Sequence, residues 1–378
     1  MRTGKLDVFI DDRLVGTLAE TKDKKVAFEY SDLWLSEGYS ISPRSLPLKK
    51  NVFVPKGYTF GGLFGVFADS LPDAWGRLIL DRMLKRNGIN PDEIGELDRL
   101  AIIGDNGMGA LSYRPSIMLC NEMNDNLSVD LDKLSNSCLE ILKSESETNL
   151  DYLFKHGCSS GGARPKVTID YDGSEWLIKF PSHMDNRDIG FIEYEYNECA
   201  KKCKIAVAEH KLFKSDICKG YFGSKRFDKS EDKKQKRYLV LTAAAMLEAD
   251  FRAPCLDYND LLRLIRILSF DNKSEIENMF RLMCFNVFAH NRDDHAKNFS
   301  FIYDEEKDIW TMTPAYDLTY STTYFGEHTT SVNGNGANPQ LEDILKTAKK
   351  NGIKKEKAKA VAEDIKSIVD AELNKYFN

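Results

Sequence analysis

No C-x-x-C pair occurs among the eight cysteines, no apolar run approaches the length of a membrane span, and there is no excess of positive charge. Each absence closes a class of function. Without paired thiols, Cys120, Cys138, Cys158, Cys199, Cys203, Cys218, Cys255 and Cys284 read as small, mostly buried residues in a reducing compartment. Cys199 and Cys203 lie one helical turn apart, but no histidine has the spacing that would complete a metal site with them. A spanning helix needs roughly 20 apolar residues, and the start, Met1-Arg-Thr-Gly-Lys-Leu-Asp, lacks the apolar core of a signal peptide. A cytoplasmic protein with no membrane partner is the expectation. A net charge of −6 and a pI near 5.7 argue against broad nucleic-acid binding, so any link to DNA would run through a partner. The basic runs at 233–237 and 349–357 read as solvated faces.

With 378 residues and 42% hydrophobic content, the chain can bury a sizeable core and divide into two or three domains. Its most informative stretch is His290-Asn-Arg-Asp-Asp-His-Ala-Lys-Asn298, followed nineteen residues later by Asp317. Asp293 and Asn298 stand at the spacing D-x-x-x-x-N. In protein kinases that spacing sets an acceptor for the substrate hydroxyl's proton beside an oxygen ligand for magnesium, and a second aspartate beyond a hairpin completes the metal site. Alone the spacing is common; its surroundings give it weight. Ser274 and Glu277 have capping-box spacing, and Ile276, Phe280, Met283 and Val287 recur at helical intervals, predicting a buried helix that ends near His290. Beyond the motif, Phe299-Ser-Phe-Ile-Tyr303 and Ile309-Trp-Thr-Met-Thr313 read as strands around a turn at 304–308.

The first thirty residues alternate as strands do (Val8, Ile10; Leu14, Gly16, Leu18; Val26, Phe28, Tyr30), with Asp11-Asp12 as a turn, and predict a small antiparallel sheet. Asp69-Ser-Leu-Pro-Asp-Ala-Trp-Gly-Arg77 reads as a helix start, with Pro72 in the first turn, a buried Trp75 and no evident chemistry. Around 120–147 the chain turns polar about one amphipathic run (Leu131, Leu134, Cys138, Ile141, Leu142) and is expected to change domain. Cys158-Ser-Ser-Gly-Gly-Ala-Arg-Pro-Lys166 is small enough to bring backbone N–H groups against phosphate oxygens, with Arg164 or Lys166 adding charge; a plain flexible loop has the same composition. A hairpin follows, 167–171 and 176–180 around Asp172-Gly173, with Lys179 inside its second strand. A strand lysine either snorkels at an edge or meets a phosphate, and the Gly-rich loop just before it favours the second. The next helix offers Glu193, Glu195 and Glu198 as partners for Lys179. A strand from Tyr221 leads into a loop at 226–228, a helical pattern runs from Leu239 to Leu268, and 356–376 forms an amphipathic packing helix.

Taken in order, the N-terminal sheet, the Asp69 to Arg77 motif, Ser159-Ser-Gly-Gly-Ala-Arg-Pro-Lys166, Leu177-Ile-Lys-Phe180, Arg226-Phe-Asp228, Asp293-Asp-His-Ala-Lys-Asn298 and Pro314-Ala-Tyr-Asp317 resemble the HipA family of bacterial serine/threonine kinases, the toxin halves of toxin–antitoxin pairs. The resemblance covers nearly the whole chain. It implies an α+β, two-lobed protein-kinase-like fold with a small N-terminal antiparallel β domain at 1–125, a kinase N-lobe at 126–228 and a helical C-lobe at 229–378. It implies Asp293 as the catalytic aspartate, Asn298 and Asp317 as magnesium ligands and Lys179 as the ATP-phosphate lysine, with Glu193 preferred as its partner. Further ATP contacts are implied for Ser160, Gly161, Gly162 and Ala163 in the loop, for Lys225 and Phe227 with Arg226 in the hinge, and for His295 and Tyr316. Ser159 falls on the family's autophosphorylated serine.

ATP and Mg2+ are the implied cofactors, and a HipB-like helix-turn-helix antitoxin is the implied partner, supplying the DNA contact. Aminoacyl-tRNA synthetases, the family's protein substrates, are one open option. The segment after Asp228 is short, as in a shorter subgroup of the family, and Asp317 is followed by Leu-Thr rather than Phe-Gly. Two other readings use the same residues: a kinase-like co-repressor that binds nucleotide without transfer, and a small-molecule kinase.

Overall fold

The structure is a computed structural model and describes residues 3–120, 130–143, 147–158, 161–230, 236–323 and 326–377. The chain forms two compact units, the first from residues 1–190, 213–241 and 245–248, the second from 191–212, 242–244 and 249–378.

The first unit opens with β1 (Lys5–Ile10), β2 (Arg13–Glu20) and β3 (Val26–Tyr30). Leu6, Val8 and Ile10 are fully buried, as period-2 patterning requires of a strand with one face on a core. Asp11 and Asp12 turn the hairpin with φ of 47° and 62°, the backbone whose twist matches flanking strands. In β2 the inward set departs from simple alternation. The register shifts between Val8 and Phe9, and Val15 is buried while Leu14 is only half-buried, because an inserted residue exchanges the faces of a strand. Helix α1 (Asp32–Glu37), β4 (Val52–Phe53), α2 (Gly65–Ala68), α3 (Ala74–Arg86), α4 (Glu96–Ile103) and β5 (Ser112–Arg114) follow, giving an antiparallel sheet of order β4-β3-β2-β1-β5. Pro72 precedes α3 instead of sitting in its first turn, and Asp73 takes the N-cap position.

Helices α5 (Leu131–Lys143) and α6 (Leu150–Gly157) lead to the hairpin β6 (Lys166–Tyr171) and β7 (Ser174–Lys179), whose turn residues Asp172 and Gly173 have φ of 54° and 71°. Helix α7 (Ile189–Lys202) carries the chain into the second unit, β8 (His210–Phe213) returns it, and β9 (Tyr221–Lys225) pairs with β7. Because β6 pairs with its other side, β7 is an interior strand. Trp75, Ile79 and Met83 of α3 share one hydrophobic core with Leu134 and Cys138 of α5, Leu153 of α6, and Val167, Trp176 and Ile178 of the hairpin.

The helical pattern from Leu239 to Leu268 resolves into several pieces. After β10 (Val240–Thr242), α8 (Ala243–Leu247) runs for only five residues. Glu248 then adopts φ 53° and Pro254 disfavours helix in the residue before it, so helix resumes only at α9 (Tyr258–Leu268), after β11 (Leu256–Asp257). The second unit continues with α10 (Lys273–Phe288), β12 (Ser300–Asp304), β13 (Ile309–Met312), β14 (Thr330–Ser331), α11 (Leu341–Lys350) and α12 (Lys355–Leu373). Helix α10 packs against α9 and α12. Its N-cap is Asn272, whose side chain accepts from the Ser274 N–H; an Asx cap one residue outside the helix outranks the Ser274 box that spacing suggests. No described helix is long and apolar enough to cross a membrane.

Gly16 is needed for close approach: a Cβ there would lie 2.2 Å from the Glu29 carbonyl oxygen and 2.7 Å from the Phe28 ring. Gly16→Ala is expected to cost about 1–3 kcal/mol through overpacking, measured as a lower urea midpoint at unchanged slope.

Candidate active site

The site is built from the end of α10. Its C-cap is Ala289, and His290 turns the chain at φ 51°. The His290 N–H reaches the Val287 carbonyl at 3.4 Å and the Asn291 N–H the Asn286 carbonyl at 3.0 Å, a Schellman pairing with histidine where glycine is usual. The extended backbone then sends successive side chains to opposite sides. Asp293 is 59% exposed, while Asp294 is fully buried.

A buried carboxylate has to be met by donors, and Asp294 has three. Tyr258 OH donates at 2.8 Å, His328 Nδ1 lies at 3.0 Å, and the Thr330 N–H donates at 3.1 Å. Tyr258 OH in turn accepts from Asn286 Nδ2 at 2.9 Å, and Asn286 Oδ1 accepts from Asn291 Nδ2 at 2.9 Å. Burial and the neighbouring Asp294 push the Tyr258 phenol well above its ordinary pKa, so it stays a donor. The loop backbone is held as well, since the Arg292 carbonyl accepts from the Thr329 N–H at 3.0 Å. Strand β14 pairs in parallel with β11, and Ser331 Oγ donates to Asp257, the N-cap of α9, at 2.7 Å.

On this platform Asn298 Nδ2 donates to the Asp293 carbonyl at 2.6 Å. That bond commits the amide nitrogen and leaves Oδ1 as the atom Asn298 can present to a ligand. His295 caps the short turn at 296–298, its Nδ1 accepting from the Lys297 N–H at 3.2 Å, and its Nε2 lies 3.9 Å from Asp293 Oδ1. Tyr316 OH donates to the Lys297 carbonyl at 2.6 Å, tying the strand exit to the loop, and the next residue, Asp317, has φ 53°, an uncommon conformation for a residue with a side chain. Burial and the adjacent Arg292 hold the His290 imidazole below its usual pKa. It is therefore neutral near pH 7, with Nδ1 3.1 Å from the Arg292 guanidinium.

Within α7 the three candidate glutamates separate. Glu195 accepts from Lys375 Nζ at 2.6 Å and from Tyr376 OH, and Glu198 lies 3.0 Å from Lys201 Nζ and 2.9 Å from His210 Nε2. Glu193 is only 2% exposed. The residue after Tyr376, Phe377, sets its ring 4.5 Å from that of His290.

In the first unit, Ser159 and Ser160 lie outside the described residues. Gly161 and Ala163 are exposed and Gly162 has φ 93°. The two charges proposed for a phosphate are already engaged. Arg164 makes three contacts with Asp185 at 3.1–3.2 Å; burial raises the Asp185 pKa, but Arg164 and Ser182 more than offset it and hold the carboxyl below its ordinary range. Lys166 is 3% exposed and donates to the Gly161 carbonyl. Lys179 ends the interior strand β7, its ammonium 5.7 Å from the centre of the Phe222 ring, so it is not an edge lysine. In the hinge stretch, Lys225 pairs across from Trp176 and Phe227 is half-buried. The Arg226 side chain turns into the protein, 2.6 Å from Asp228 and 3.0 Å from Glu175, and Asp228 also accepts from the Gly109 N–H at 2.8 Å.

Sequence reasoning passed over Tyr258, Asn286, Asp294, His328 and Thr330. The doublet Asp293-Asp294 carried the only signal, since an extended backbone sends adjacent side chains to opposite sides.

A helix capped into a D-x-x-x-x-N loop, a hairpin and a further aspartate, with a lysine-bearing interior strand after a Gly-rich loop, define an α+β, kinase-like arrangement. The chain belongs to the HipA family. The HipA-like C-terminal domain model matches residues 158–372 and the HipA N-terminal domain model residues 6–114. Among curated proteins, "Putative kinase Y4dM" of Sinorhizobium fredii is 23% identical over 351 residues, 87% of this chain and 80% of its own length. Among solved structures, HipA from the Shewanella oneidensis complex of HipA, HipB and operator DNA superposes with a TM-score of 0.72 at 16% identity, covering 98% of this chain and 90% of that one. This likeness shows the HipA fold. The Helicobacter pylori proinflammatory kinase CtkA covers 56% of this chain and 90% of its own at a TM-score of 0.38 and 15% identity, too low to establish a common fold.

Tyr258→Phe removes the hydroxyl between Asn286 and Asp294 without emptying its site. Leaving Asp294 one donor short is expected to cost about 1–3 kcal/mol, seen as a lower thermal midpoint with unchanged secondary structure.

Proposed function

We propose that the chain is an ATP- and magnesium-dependent serine/threonine protein kinase, the toxin half of a toxin–antitoxin pair. The observation that carries this reading is the Asn298 to Asp293 bond on the Asp294 platform, which sets a solvent-facing carboxylate beside an amide oxygen. Asp293 accepts the proton of the acceptor hydroxyl. Asn298 Oδ1 and Asp317 would hold Mg2+, which would supply charge neutralisation for the phosphoryl group in transfer. Lys179 meets the phosphates from an interior strand, where it is held more firmly than at an edge, and Glu193, which fits the family's glutamate at the helix start, is the residue assigned to orient it. His295, whose Nε2 lies 3.9 Å from Asp293 Oδ1, is assigned to nucleotide binding.

Phosphoryl transfer asks little covalent chemistry of a protein; positioning and charge neutralisation do most of the work. Phosphorylation of Ser159 would place nearly two negative charges in a loop suited to nucleotide phosphates and switch the enzyme off. The solved relative was captured with HipB and operator DNA. With net charge −6, this chain is suited to reaching DNA through a HipB-like antitoxin instead of directly.

Intact mass after incubation with ATP and Mg2+, followed by peptide mapping, tests the reading. The wild-type chain is expected to gain phosphate mapped to Ser159 or Ser160, and Asp293→Gln to lose transfer by about 10²–10⁴-fold while melting normally. An Asp293→Gln protein that gains phosphate at the wild-type rate removes Asp293 from the mechanism.

A further inference from the structure

The motif at 69–77 offers no chemistry as sequence, yet three of its residues, Asp73, Trp75 and Gly76, meet the Gly-rich loop at both ends and near its middle. Asp73 Oδ2 accepts from the Gly162 N–H at 3.0 Å. The Trp75 N–H donates to the Gly162 carbonyl at 3.3 Å, and Trp75 Nε1 donates to the Lys166 carbonyl at 3.2 Å. Gly76 is in still closer contact, since a Cβ there would stand 2.0 Å from the Cys158 carbonyl oxygen. Asp73 is the N-cap residue of α3, but its side chain makes no capping bond and is turned to the loop instead. Trp75 is 1% exposed within the core shared by α3, α6 and the hairpin, so the seat is anchored in packed structure.

We propose that Asp73, Trp75 and Gly76 are positioning residues for nucleotide binding: a seat, contributed by the HipA N-terminal domain, that fixes the Gly-rich loop. The Gly162 N–H is taken by Asp73 and the loop's own cations by Asp185 and Gly161. The seat therefore sets the conformation in which the exposed Gly161 and Ala163 backbone meets a phosphate. A Gly-rich loop without such a support pays its full conformational freedom on binding, so loss of the seat falls on nucleotide affinity and spares the chemical step. This rests on the nucleotide-binding role given above, and the test separates the two.

The experiment compares Asp73→Ala, Asp73→Asn and Trp75→Phe with the wild type in amide hydrogen exchange over 161–166 without nucleotide, in Mg·ATP affinity, and in autophosphorylation rate at saturating ATP. Asp73→Ala is expected to speed exchange at Gly162 and weaken Mg·ATP binding, each by about tenfold, with the saturated rate within about twofold of wild type. Asp73→Asn, whose amide oxygen still accepts, stays near wild type. Trp75→Phe, which keeps an aromatic ring but loses the indole N–H, speeds exchange toward Lys166 and carries the test if Asp73→Ala does not fold. Unchanged exchange in both Asp73→Ala and Trp75→Phe overturns the seat. Faster exchange in the variants, together with a wild-type chain that binds no Mg·ATP, upholds the seat and removes the nucleotide role instead.

Discussion

The second unit is organised around a carboxylate that never meets solvent. A buried ionised group without partners costs far more than a domain's net stability, so the Asp294 side chain dictates where Tyr258, His328 and Thr330 must be. Those three come from the start of α9 and from the stretch that ends in β14, and the Asn286 and Asn291 side chains extend the network back to the end of α10. With Asp294 fixed, the extended backbone turns Asp293 outward, and the Asn298 amide closes the loop on the Asp293 carbonyl. The position of the Asp293 side chain is thus inherited from burial one residue away.

The first unit obeys a comparable economy of charge. Arg164, Lys166 and Arg226 all look available to a phosphate or a base in the sequence, and all three are engaged by the protein. Their pairing ties the three side chains to the protein's own groups and not to a ligand. Lys179, by contrast, is placed by strand order: β7 has neighbours on both sides, and an interior strand holds its end residue in a direction that an edge strand would not.

Much of this was legible in the sequence where a local rule is strong. The Asp11-Asp12 and Asp172-Gly173 turns, the α10 periodicity and the hairpin at 300–312 follow from turn chemistry and hydrophobic spacing that act within a few residues. The HipA resemblance of the ordered motifs agrees with the family models over both regions. What was not legible depends on partners far along the chain. Asp294 is bound to residues 36 and 34 positions away, and Asp73 to a glycine 89 positions away, so neither carries a local sign of its role. The 239–268 pattern misled because apolar spacing at helical intervals survives a break, and the residues that make the break, Glu248 at positive φ and Pro254, are few.

The most direct test of a metal–nucleotide centre on the Asp294 platform is electron paramagnetic resonance of Mn2+ titrated into the protein with and without ATP, for the wild type, Asn298→Ala and Asp317→Asn. The wild type should immobilise Mn2+ only when ATP is present, and each variant should release the ion while still binding nucleotide. ATP-dependent Mn2+ binding that survives both substitutions unchanged, or no such binding in the wild type, would contradict a centre built from Asn298 and Asp317.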